Sequence, residues 1–92
     1  MFGALASTAV RCLHNGLQAL LMRPEPSAHG VQATVLLVEP SGNELQVRCL
    51  CKPDGTTELG VFDGPAGLNE LIESYGRETV VSLARQVALA TR

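Results

Sequence analysis

The chain is poor in aromatic residues, with no tryptophan, one tyrosine and two phenylalanines among 92 residues. Its core is therefore expected to be aliphatic, built from valine, leucine and alanine. It has no apolar run of the roughly 18 residues that a membrane-spanning helix needs. It has no excess of one charge either. Seven basic and nine acidic residues leave a net charge of −2, which removes the bulk electrostatic case for nucleic-acid binding. Three cysteines, an odd number, do not close a disulfide framework; Cys12, Cys49 and Cys51 suit small buried thiols in a reducing cytoplasm.

What is present points to a folded domain. Hydrophobic residues make up 46% of the chain, too many for disorder. The length admits one small domain over residues 1–92. A core of this size gains stability by pairing, so a homodimer is expected.

Residues 1–23 read as an amphipathic helix. Phe2, Leu5, Ala6, Ala9, Val10, Leu13, Leu17, Leu20 and Leu21 share one face; Ser7, Arg11, His14, Asn15 and Gln18 lie opposite, with Gly16 at the boundary. Pro24 and Pro26 would stop it. With Arg11, Arg23 and no acid before Glu25, the segment also has the look of an organellar transit peptide, the alternative to a cytoplasmic location.

Residues 24–30 read as a linker and 31–62 as a three-stranded β-meander. Val31–Val38 is apolar on both faces, as a central or doubly covered strand would be. Pro40–Asn43 reads as a turn. Residues 44–52 alternate, with Leu45, Val47, Cys49 and Cys51 on one face. Pro53-Asp54-Gly55 supplies the next turn, and residues 56–62 the third strand. Residues 64–91 read as a C-terminal helical segment that opens at Asp63-Gly64-Pro65 and breaks at Gly76. Leu68, Ile72, Tyr75, Val80, Leu83 and Val87 form its main stripe. Val81, Ala84 and Ala88 form a second, small-residue face, assigned here to the dimer interface. The expected fold is α+β in the order α-β-β-β-α.

Chemistry is thinly signalled. On a helix Cys12 and His14 point to opposite flanks, and Cys49 and Cys51 share a face with core residues, so no metal site is assigned. No cofactor and no catalytic residue is assigned, because His14 and His29 lack a spacing that aligns a base with a nucleophile. Glu70 and Glu73 read as surface carboxylates, and the glycines of Gly60–Gly67 lack the base a phosphate cradle wants. From Pro53 to Gly76 there are five acids (Asp54, Glu58, Asp63, Glu70, Glu73) and no base; Arg77, Arg85 and Arg92 then reverse the sign. That stretch is either a solvated edge or the surface that meets a protein partner with a basic surface.

The reading is a non-enzymatic interaction module that acts as adaptor, regulator or inhibitor of a larger protein. One alternative is a small enzyme or ligand-binding domain with a site between sheet and helices, in a pocket collecting Cys49, Cys51, His29 or Tyr75. A DNA-binding regulator that uses Arg77, Arg85 and Gln86 after the Gly76 break comes third.

Overall fold

The computed structural model of the chain describes residues 11–62 and 66–90. Five strands are followed by two helices: β1 (Arg11–His14), β2 (Leu17–Glu25), β3 (Val31–Val38), β4 (Glu44–Cys51), β5 (Thr57–Val61), α1 (Ala66–Tyr75) and α2 (Arg77–Leu89). The strands form one antiparallel sheet in the order β1-β2-β3-β4-β5. The α+β class stands, but the expected order α-β-β-β-α does not.

The correction falls on residues 11–25, which form a β-hairpin rather than the end of a helix; the part of the expected helix over residues 1–10 lies outside the described residues. The cause is the Asn15-Gly16 pair. Both residues have positive φ, 54° and 86°, the backbone of a type I′ two-residue turn, whose twist matches that of the strands it joins. The hairpin sends Leu17, Ala19 and Leu21 to one face and Leu20 to the other. Leucines on both faces satisfy a helical spacing as well as a strand spacing, so the periodicity was ambiguous.

The expected linker is also shorter, because β2 runs through Pro24 to Glu25. Its pairing with β1 ends at Leu20, so Pro24 pairs with β3 alone and its missing N–H falls on an edge. Met22 is a β-bulge: Leu21 faces Val35 and Arg23 faces Thr34, leaving Met22 unpaired between them. Beyond the bulge the side chains change faces, so Glu25, opposite Gln32, points away from the helices.

The stretch 31–62 forms three consecutive antiparallel strands, the last three of five, with β3 at the centre of the sheet. The helices cover one face. α2 touches all five strands and α1 packs on α2, the two being separated at Gly76. The core joins Leu17, Ala19, Ala33, Val35, Leu37, Val47 and Cys49 of the sheet to Leu71, Val80, Leu83, Ala84, Val87 and Ala88 of the helices. The molecule is a plate of 34 × 33 × 23 Å. Among the described residues, no helix covers the other face of the sheet.

Candidate functional site

That second face is the candidate site. Register fixes its rows. Leu20, Leu36 and Gln46 lie side by side across β2, β3 and β4; Arg23, Thr34, Arg48 and Gly60 form the next row; Glu25, Gln32, Leu50 and Glu58 form the third. Leu20, Leu36 and Leu50 are half-buried by their neighbours, while Met22 and Phe62 are 47% and 48% exposed. The face is thus largely apolar at its margins.

Its centre is polar and fully paired. Thr34 Oγ1 donates to Glu25 Oε2 at 2.7 Å, and Gln32 Nε2 donates to Glu25 Oε1 at 2.7 Å. Arg48 Nε lies 3.0 Å from Oε1, and Arg23 Nη2 lies 3.4 Å from Oε2. The Arg48 guanidinium also sits 5.1 Å from the centroid of the Phe62 ring, a cation–π contact. The Glu25 side chain is only 12% exposed, and Thr34 is 4% exposed.

The hydrogen bond from Thr34, with those from Gln32 and Arg23 and the charge of Arg48, holds the Glu25 carboxyl below its usual value against the opposing effect of burial. A carboxylate held ionised this way orders the face; it is poorly suited to donate a proton. The sign of the linkage follows. A depressed folded value contributes stability that is present above the unfolded value and is lost as pH falls through the folded one. Acid unfolding of the wild type is therefore expected to include this loss, and Glu25→Gln should flatten that part of the curve of urea-unfolding stability against pH. An unchanged acid limb would remove Glu25 from the account.

The acids singled out in the sequence do not form one surface. Asp54, in the β4–β5 turn, accepts from Thr56 N at 2.9 Å and Thr56 Oγ1 at 2.6 Å, and these bonds lower its carboxyl below the usual value. Glu58 lies on the open face of β5 and is ion-paired with Lys52. Glu70 and Glu73 are exposed on α1, and Asp63 lies outside the described residues. Lys52, one residue before the acidic stretch, neutralises part of it.

The residues assigned to a dimer interface sit elsewhere than that assignment requires. Ala84 and Ala88 are fully buried in the chain's own core, and Val81 is half-buried at its margin. The sheet occupies the small-residue face of α2, so that face is not open to a second copy.

Cys49 and Cys51 lie on the helix-covered face, buried, with Sγ atoms 4.0 Å apart. Burial pushes the Cys49 thiol up to about 12; Cys51 adds to the rise and the charge of Arg85 opposes it. Cys12 and His14, now two apart on a strand, share the helix-covered face: Cys12 packs against the core, and His14 is exposed at its rim near the hairpin turn. Among the described residues, no group of three or more His, Cys, Asp or Glu is placed to hold a metal ion.

The residues proposed to share a pocket are separated. His29 lines a shallow groove of about 630 Å³ with Ala28, Leu50, Lys52, Pro53 and Asp54, across the sheet from the two thiols. Tyr75, at the end of α1, reaches Glu39 Oε2 at 3.5 Å. Arg77 and Arg85 share a groove with Glu78, whose charge opposes phosphate contacts, and Gln86 lines a second one beside Leu13 and His14.

Glu25, Thr34, Arg48 and Phe62 were not found from the sequence. One signal was available: Asn15-Gly16, which turns the leucine-rich segment into strands and gives the sheet its open face. Among the described residues, no helix is long and apolar enough to cross a membrane. Compared with protein-family models, with curated proteins and with solved structures, the chain matches none.

Proposed function

We propose that the chain is a non-catalytic protein-interaction module that works as a homodimer, two copies packing through their open sheet faces. The carrying observation is the face itself, where Leu20, Leu36, Leu50, Met22 and Phe62 surround an ion-paired centre of Glu25 with Arg48 and Arg23. With Lys52–Glu58 also paired, these ion pairs leave one positive charge per face, that of Arg23, whose side chain is 70% exposed and can turn to solvent at the margin of a two-fold interface.

Size supports a modest affinity. Strands about 4.8 Å apart and a usable length of about 20 Å give a footprint of roughly 400–500 Å² per copy. That is near the lower limit for a specific interface, so micromolar dissociation is expected. Sheets stacked about 10 Å apart would interdigitate these leucines. The dimer would then present its helix layers outward, as an adaptor or regulator of a larger protein requires. Three unpaired thiols suit a reducing compartment.

The test is sedimentation velocity over a concentration series. The wild type should pass from monomer to dimer in the micromolar range, while Leu36→Lys should stay monomeric with its urea midpoint little changed. A wild type that is monomeric at every concentration would overturn the proposal.

A further inference from the structure

We infer that Cys49 and Cys51 form a two-thiolate site for a soft monovalent cation, copper(I), on the helix-covered side of the sheet. The two residues lie two apart on β4, opposite Leu59 and Thr57 of β5, with both side chains on one face. Their Sγ atoms are 4.0 Å apart. With metal–thiolate bonds of about 2.3 Å, that separation already matches two sulfurs on one ion at an angle of about 120°. Opening to a linear arrangement needs only about 0.6 Å more between the sulfurs.

The alternatives fit less well. Zinc takes four ligands, and among the described residues no cluster of three or more candidate ligands exists. A disulfide within one strand asks for Cα atoms about 6.6 Å apart to bridge, close to the upper limit of the usual range. Soft thiolates favour copper(I), which is content with two.

Burial opposes ionisation of the Cys49 thiol, so the ion must displace its proton, and Arg85 lessens the cost. Binding converts two thiols and one M⁺ into [RS–M–SR]⁻ and two protons, which pass to solvent. The resulting single negative charge is buried, and Arg85 is close enough for its charge to act on Cys49. Arg85 and Thr57, the strand partner of Cys51, both line a groove of about 480 Å³ that also holds Gly55, Arg77, Glu78 and Ser82. The groove reaches the strand partner of Cys51 but neither thiol lines it, so entry of an ion requires the edge between the β4–β5 turn and α2 to open. Cys51, 6% exposed, is the outer of the two sulfurs, and Cys49 is fully buried.

The experiment titrates reduced full-length chain with copper(I) under anaerobic conditions against bathocuproine disulfonate. One ion per chain should be retained, with X-ray absorption showing sulfur neighbours only. Cys49→Ala and Cys51→Ala, checked for folding by circular dichroism, should each lose stoichiometric retention; Cys12→Ala should keep it. Failure of the wild type to retain copper(I), nitrogen or oxygen ligands in the spectrum, or retention by folded Cys51→Ala would overturn the assignment.

Discussion

Gly30→Ala is expected to cost about 3–5 kcal/mol, a large part of the stability of a domain this small. A Cβ built on Gly30 stands 2.1 Å from the carbonyl oxygen of Cys51, 3.1 Å from its carbonyl carbon and 3.2 Å from Lys52 Cα. All three are backbone atoms, so no side chain can swing aside. Gly30 also has φ 143°, a conformation that alanine rarely adopts. Relief requires opening the first rung of the β3–β4 ladder, where Val31 faces Cys51. Urea unfolding measures the loss, with Gly42→Ala as control, because Gly42 has positive φ but open space around it. If the two variants lose the same small amount, the β2–β3 loop does not approach the end of β4.

Ala84→Glu is expected to leave the chain unfolded, with a loss of about 4 kcal/mol or more. Ala84 is fully buried within the cluster that holds Val35, Val47 and Val80. A carboxylate there would lose its water, and no cation of the core awaits it. Val81→Glu, half-buried at the margin, should cost only about 1–2 kcal/mol. Circular dichroism with light scattering separates two outcomes. A folded Ala84→Glu chain of reduced mass would return the small-residue face of α2 to an interface between copies. An unfolded chain agrees with α2 lying directly on its own sheet.

These two residues show what was legible and what was not. The strands from Val31 to Val61 were readable because proline, aspartate, asparagine and glycine mark the turns, and because β4 alternates cleanly. The break at Gly76 was readable for the same local reason. Ala84 and Ala88 were not, since alanines pressed against a sheet and alanines awaiting a partner have the same spacing. Leu17, Leu20 and Leu21 fit both periods, and only the neighbouring Asn15-Gly16 decides between them. Glu25 was hidden differently: prolines on both sides suggest a linker, yet an edge segment accepts proline. Its partners Thr34 and Arg48 belong to other strands, so the site depends on strand order, which local patterns do not carry.

The bulge at Met22 makes pairing register, rather than residue identity or chain length, the guarded quantity in this part of the protein. Were Met22 to pair with Thr34 instead of bulging out, every later side chain of the strand would exchange sides. Pro24 would then face outward, and Arg23 and Glu25 would be driven beneath the helices. Substitutions at Met22, half in solvent, cost little, and deleting it leaves Leu21–Val35 and Arg23–Thr34 as successive rungs of a regular ladder. Lineages carrying this fold should therefore vary at position 22, in the residue and in its presence, and keep Leu21 opposite Val35 and Arg23 opposite Thr34.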